Sequence, residues 1–482
     1  MARISPMWLC FLAVWYFAQL AWSCNSDEDC SLNGICKQLG SKRLCQCDPG
    51  WWDDDCGRLD LAPATRWTGY NHTNASDPSY YRDYGNSSWG GTLIQDRDDS
   101  KLFHLVVSQF AHGCGLSGWR PHSFIIRAES RTGPQGPYHY AQSLTKSFRH
   151  NPYVFWSPAD KRYLLYTIGA DAPESALLSC KSVSKDNWPN NISVSAADDI
   201  RGPWSPFEIL INGTNPAPWP LWSRHDQTSE IILAAEDLNI YSAAHYDKKY
   251  THISTAPWNT SDYQPYWAED PFLWRDKRGN WHALGHWMID IVENGLKYPR
   301  VGAHMYARSV TGPWHFKLQE AFNSTVNFTD GTFQTLNRRE RPKIFFDDDM
   351  TPLYLINGVQ DMNVTSKSYT LIQPIGTRWK RQQTAAIEST LFFHSENMSE
   401  AGSIDLLSDS ARDTTTSKVK NDALHPQVNL VLQSFEDSVE STFELKNQLT
   451  PMEKWMGQAK AEEPWNSIAD VKNSGYPSKG GC

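Results

Sequence analysis

Five charged side chains stand directly ahead of two prolines, in Glu269-Asp270-Pro271 and Arg339-Glu340-Arg341-Pro342. Proline fixes its own backbone and gives no N–H to a ladder, so it belongs at a strand's first position. The residues before it are then displayed at the end of that strand. Two carboxylates so displayed suit work on a glycosidic bond: one protonates the leaving oxygen while the other assists water or attacks the sugar. Asp270 and Glu340 are the candidate catalytic pair. Arg339 and Arg341 complicate the assignment, because a nearby guanidinium lowers a carboxyl pKa and opposes service as an acid. Either arginine could instead pair with Asp270 or take an anionic substrate group. A structural ring of salt bridges around a channel competes with catalysis on equal terms.

Three more motifs share the pattern: Trp89-Gly90-Gly91, His150-Asn151-Pro152 and Thr214-Asn215-Pro216. The five recur between 55 and 71 residues apart, and an apolar run follows each, such as Tyr153-Val154-Phe155-Trp156 or Phe272-Leu273-Trp274. A polar turn and a second apolar run come next. A second marker, Gly-Pro-aromatic, appears at Gly136-Pro137-Tyr138, Gly202-Pro203-Trp204 and Gly312-Pro313-Trp314. Strand repeats of this period read as propeller blades, which gather the starts of their inner strands around one axial pocket. His150, Asn151, Asn215, Glu269, Arg339 and Arg341 are therefore candidate substrate-binding groups, with Trp89 and Trp267 as flat rings suited to a sugar face. His282 and His286 share one face of a strand. One of them could meet the channel, while a structural role suits at least two of His282, His286 and His304.

The 482 residues hold 45 basic and 54 acidic side chains, a net charge of −9, which argues against nucleic-acid binding. Residues 1–23 read as a secretory signal: Arg3, the apolar stretch Met7 to Ala18, then Ala21-Trp22-Ser23. That stretch is too short to span a bilayer comfortably, and no later segment is apolar enough. A secreted, extracellular protein is expected. Sequons at Asn71, Asn74, Asn86, Asn191, Asn212, Asn259, Asn323, Asn327, Asn363 and Asn397 fit a glycosylated exterior.

Six cysteines crowd into residues 24–56, at Cys24, Cys30, Cys36, Cys45, Cys47 and Cys56. A segment so short and so poor in apolar content needs disulfides, and spacing alone leaves 15 pairings open. Cys114 and Cys180 fall in similar places within the first two repeats and could staple neighbouring blades, leaving Cys482 as the odd one. The spacing over residues 24–57, with Cys45-Gln46-Cys47-Asp48-Pro49-Gly50-Trp51, resembles an EGF-like domain. That resemblance implies the pairs Cys24–Cys36, Cys30–Cys45 and Cys47–Cys56. It also implies a spacer or contact module that could meet a matrix or cell-surface protein.

The motifs, above all Trp267-Ala268-Glu269-Asp270-Pro271-Phe272-Leu273-Trp274, resemble those of five-bladed propeller glycoside hydrolases around families 43, 32, 68, 117 and 130. The resemblance covers roughly residues 65–375. It implies a transition-state-stabilising or orienting role for Asp270, a general acid in Glu340, and calcium in the channel as a possibility. The chain departs from the pattern in its first three motifs, which carry no carboxylate; Asp83 could supply one from a loop. The expected fold is all-β: a five-bladed propeller over residues 58–378 behind the small disulfide-rich module, then a polar C-terminal extension, 379–482. In that extension Ser395 to Asn421 reads as a polar linker or disordered tract, and Val428 to Val439 as an amphipathic helix. The expected function is that of a secreted glycoside hydrolase-like protein on extracellular poly- or oligosaccharide. A non-catalytic glycan- or protein-binding propeller is the alternative.

Overall fold

Runs of β-branched and aromatic residues, broken by Gly, Pro and Asp turns, fold as antiparallel strands in the computed structural model. It describes residues 23–70, 87–180, 190–223, 228–254, 268–287, 302–317, 319–362 and 367–380. The expected signal, the C-terminal extension beyond 380, Asp83, Trp267 and the sequons at 71, 74, 86, 259, 363 and 397 lie outside the described residues. Of the remaining sequons, Asn212 and Asn327 are exposed and Asn191 and Asn323 half-buried.

The N-terminal module has two small hairpins, β1 (Gly34–Leu39) with β2 (Lys42–Cys47) and β3 (Trp51–Trp52) with β4 (Arg58–Leu59). Disulfides join Cys24 to Cys36, Cys30 to Cys45 and Cys47 to Cys56, the pairs the resemblance implies. Five four-stranded sheets follow. The first holds β5 (Ser88–Gln95), β6 (Phe103–Phe110), β7 (Ser123–Ser130) and β8 (His139–Ser143). The second holds β9 (His150–Ser157), β10 (Arg162–Ile168), β11 (Asn191–Ala197) and β12 (Glu208–Asn212). The third is β13 (Ala217–Ser223), β14 (Thr228–Ala235), β15 (Asn239–Ala243) and β16 (Thr251–Ser254). The fourth is β17 (Ala268–Arg275), β18 (Trp281–Trp287), β19 (Gly302–Ala307) and β20 (His315–Phe316). The last is β21 (Thr325–Asn327), β22 (Phe333–Phe346), β23 (Pro352–Asp361) and β24 (Tyr369–Pro374). The fold is a five-bladed β-propeller. Strands packed on both faces need no alternation: every residue of β6 is buried, whereas the outer β8 is half exposed.

One device recurs at the start of each inner strand. Gly90–Gly91 face only Val107, between the pairs Trp89–Ser108 and Thr92–Val106. Asp270–Pro271 face Gly285, and Arg341–Pro342 face Asn357. Asn151–Pro152 oppose Thr167 in the same way. In the third blade the Glu236 N–H donates to Thr214 O while Ala217 pairs Ala234, so Asn215–Pro216 oppose Ala235. Two residues against one is a β-bulge, and its first residue is left-handed in every blade: φ is 67° at Gly90, 55° at Asn151, 57° at Asn215, 55° at Asp270 and 57° at Arg341.

The ring closes through residues 61–70. Ala62 donates to Pro374 O at 2.9 Å and Tyr70 exchanges hydrogen bonds with Thr370, while Gly69 bonds Gln135 and Tyr138 of the first blade. One segment thus covers the edge of the last blade and ties it to the first.

The cysteine module is docked on the fourth blade. Trp51 stacks on Trp274 with centroids 6.4 Å apart and meets His304 tilted, at 4.9 Å. His282 Nδ1 lies 3.0 Å from His304 Nε2, and Asn33 of the module reaches His304 at 3.4 Å. Arg278 donates to Asp48 and to Leu32 O, Arg308 to Glu28 at 2.7 Å, and Lys317 to Asp55 at 2.7 Å. His282 and His304 therefore have structural places, away from the axis.

Burial, with the charges of His282 and Lys317, pushes the His304 pKa well below its ordinary value. The unfolded chain then binds a proton below about pH 6.5 that the folded chain refuses. His304 should therefore cost the fold about 1.4 kcal/mol between roughly pH 7.5 and 5.5. Urea unfolding at both pH values should show this loss in the native protein and about that much less in His304→Gln. Equal pH dependence in the two would contradict it.

Candidate active site

The five bulges aim their flanking side chains at one end of the axis. Asn and Asp tolerate the left-handed backbone better than most residues, which accounts for Asn151, Asn215 and Asp270. Arg341 adopts it at a cost, the kind of local strain that collects at functional sites. A cavity of about 510 Å³ opens there, and each blade contributes to its wall. Trp89 and Trp119 come from the first blade and its loop, and His150 and Asn151 from the second. Asn215 and Glu236 come from the third, Glu269 from the fourth, and Arg338, Glu340, Arg341 and Gln360 from the last.

His286 on β18 brings the two candidate carboxylates together. Its Nδ1 lies 3.9 Å from Asp270 Oδ2 and its Nε2 lies 3.8 Å from Glu340 Oε1. Asp270 and Glu340 thus converge on opposite nitrogens of one buried imidazole, from adjacent blades. Both are nearly buried, at 6% and 5% exposure. Arg338 donates to Glu340 Oε1 at 3.2 Å, and Arg341 Nε stands 3.7 Å from Asp270 Oδ1. Lys343, deeper on β22 with its ammonium over the Tyr153 ring, is pushed down to about 8 by burial, which the charge of Asp270 partly opposes.

Arg341 reaches its place because Gly90 has no side chain. A Cβ on Gly90 would lie 3.0 Å from Arg341 Cδ and 3.1 Å from its Cβ. The stem of an arginine from the last blade therefore covers the position where the first motif would present a carboxylate.

The opposite wall is built from neutral groups. Asn151 donates to Asn215 Oδ1, coupling the second and third blades. His150 stacks on Trp119 at 4.7 Å, and its Nδ1 lies 2.5 Å from Ser123 Oγ. Burial first, then the charges of Arg341 and Arg120, hold its pKa well below the ordinary value, so the ring is neutral. Trp119 sits on a loop locked to the next blade by the disulfide Cys114–Cys180, which spans 66 residues. That disulfide staples neighbouring blades as the spacing suggested, and both of its loops carry cavity residues, Leu116, Ser117 and Trp119 on one and Asn190 on the other.

Of the sequence-derived candidates, His150, Asn151, Asn215, Glu269, Glu340, Arg341 and Trp89 line the cavity, and Asp270 adjoins it. Trp89 is only 1% exposed, so it is wall rather than open platform. Arg339 is placed elsewhere. It is 1% exposed inside the last blade, donating to Asn357 Oδ1, Asn323 O and Gln373 Oε1 over the Phe322 ring, because alternate residues of β22 face opposite sides. Trp119, Glu236, Arg338 and Gln360 were not anticipated. Alternation along β22 from Glu340 would have pointed to Arg338. Glu236 follows a second strand and carries no proline mark.

Glu269, Asp270 and His286 offer ligand atoms within 4.8 Å of one another, a set that could hold a cation. Arg341 and Lys343 already set positive charge against Asp270.

No protein-family model and no curated protein matches the chain. Among solved structures it is similar to the catalytic domain of a family 62 α-L-arabinofuranosidase from Coprinopsis cinerea, at 12% identity and a TM-score of 0.44, covering 68% of this chain and 98% of that one. It is also similar to a xylan β-1,4-xylosidase from Bacillus halodurans (14%, TM-score 0.41, 61% and 54% covered). A third is an endo-arabinase from Bacteroides thetaiotaomicron (14%, TM-score 0.38, 63% and 99%).

Replacing both Cys114 and Cys180 by serine should release the Trp119 loop. Stability should fall by about 2–4 kcal/mol, and the affinity of any cavity ligand should fall as well. Thermal unfolding and calorimetric titration measure the two; unchanged affinity would separate the disulfide from the cavity.

Proposed function

We propose that the axial cavity binds a sugar residue of an extracellular poly- or oligosaccharide and that Asp270 and Glu340 cleave its glycosidic bond. The observation that carries this reading is the meeting of those two carboxylates across His286 at the wall of one cavity with aromatic and amide groups. One carboxyl gives its proton to the glycosidic oxygen as the C–O bond breaks. The other takes a proton from the attacking water, or first attacks the sugar carbon itself. His286, within 4 Å of both, holds their spacing. Arg338 donates to Glu340 Oε1 at 3.2 Å and so orients that carboxyl group. Four disulfides and an apolar N-terminal stretch support secretion. We read the N-terminal module as EGF-like, and its outward surface as the contact for a matrix or cell-surface protein.

A second reading is binding without turnover, of a glycan or a protein. The stem of Arg341 over Gly90, with amides rather than acids at Asn151 and Asn215, favours it.

Reducing-sugar release from a panel of plant and microbial glycans decides between them. Hydrolysis should be detected, and Glu340→Gln or Asp270→Asn should lower kcat/KM by about 10²-fold or more. Glycan binding with no release from the native protein would establish the second reading. Release indifferent to both substitutions would remove this pair from the mechanism.

A further inference from the structure

The cavity wall offers buried donors that the protein does not use. Arg341 Nε and Nη1 are buried and have no hydrogen-bond partner among the described residues. Its ion pair with Asp270, at 3.7 Å, is beyond hydrogen-bonding reach. His150 Nε2 is likewise buried without a partner, on a ring that is 1% exposed. Where His150 Nδ1 accepts the Ser123 hydroxyl, Nε2 bears the ring proton and is a donor. A buried donor left unmet costs about 1–3 kcal/mol, and more when charged. Such groups are rare in native structures unless a ligand or water meets them.

The arginine is also held in position. Its stem lies against Gly90, its backbone is fixed in the bulge, and the adjoining Pro342 restricts it further. Its charge acts on His150 across the cavity, as does that of Arg120. Arg338 adds a third guanidinium at the wall, engaged with Glu340. Neutral hydroxyls could accept from such donors, but a planar guanidinium is matched best by an anion with coplanar oxygens.

We propose that the sugar bound here is acidic, a uronic acid residue whose carboxylate lies between the Arg341 guanidinium and His150 Nε2–H. This deepens the glycan reading above and rests on it. The carboxylate supplies the hydrogen bonds these donors lack and adds a counter-charge for Arg341. Asp270 and Glu340, which meet across His286, then act on the glycosidic oxygen.

Calorimetric titration of the full secreted chain tests this with three size-matched probes: an oligogalacturonate, a neutral xylo-oligosaccharide and a sulfated galactan oligosaccharide. The oligogalacturonate should bind at least about tenfold more tightly than the neutral probe, as one charge-assisted interaction would give. Raising the salt should shrink that ratio. Arg341→Gln should bring it to about one, and Arg341→Lys, which keeps the charge without the fork, should leave part of it. If Arg341→Gln fails to fold, the lysine variant and the salt series decide. Equal affinity for acidic and neutral probes, or preference for the sulfated one, would overturn the uronic acid assignment while leaving the glycan reading in place. No binding by any glycan would overturn both.

Discussion

Everything at the axis depends on the two-residue bulge that opens each inner strand. In a regular antiparallel pair, side chains alternate between faces, and none would point along the strand towards the axis. Inserting one extra residue, with its first member at φ near +55°, breaks the alternation at one place in every blade and re-aims the side chains beside it. A proline as second member suits the device, since that residue has no ladder hydrogen bond to lose. Fivefold repetition then converts a local backbone choice into a shared cavity. Asn, Asp and Gly fill the left-handed position in four blades for steric reasons, and the fifth blade alone places a long cation there.

That exception governs the electrostatics. The stem of Arg341 lies close against Gly90, where an added Cβ would come within 3.0 Å of its Cδ, so the first motif's lack of a side chain and the last motif's cation fit one another. An axis with Asp270, Glu269, Glu340 and Glu236 alone would repel itself. With Arg338, Arg341 and Lys343 interleaved, opposite charges sit near one another at distances mostly too long for hydrogen bonds, as with Arg341 and Asp270 at 3.7 Å. Such loosely paired, nearly dry charges keep most of their capacity for a ligand. The cavity wall thereby sets each cation beside a carboxylate, Arg341 by Asp270 and Arg338 by Glu340.

Much of this is legible in the amino-acid sequence. The recurrence of X-Asn-Pro, Glu-Asp-Pro and Glu-Arg-Pro marks four of the five inner strands, because proline's backbone restriction is visible in the residue itself, and Trp89-Gly90-Gly91 marks the other. The same rule locates Asp270 and Glu340, whose convergence needs only that inner strands point one way. It misplaces Arg339, since side chains alternate along β22 and adjacency to proline cannot say which neighbour faces the axis. Trp119 and Glu236 escape the rule for another reason. They stand on turns after second strands, where no backbone constraint marks them; the Cys114–Cys180 cross-link and the Glu236 N–H to Thr214 O bond help hold those turns over the cavity.

The cysteine module reads, from its spacing, as a separate small unit that could act as a spacer. Its contacts argue for a second role. A module with so few apolar residues has little core of its own, and Trp51 is buried only by leaving it, against Trp274 and His304. Those two rings belong to the blade that also supplies Glu269, Asp270 and His286. His282 and His286 stand on one strand, so the face that receives the module at one end orients the carboxylate partner at the other. Docking of the module and geometry of the cavity are thus two consequences of how β18 is packed.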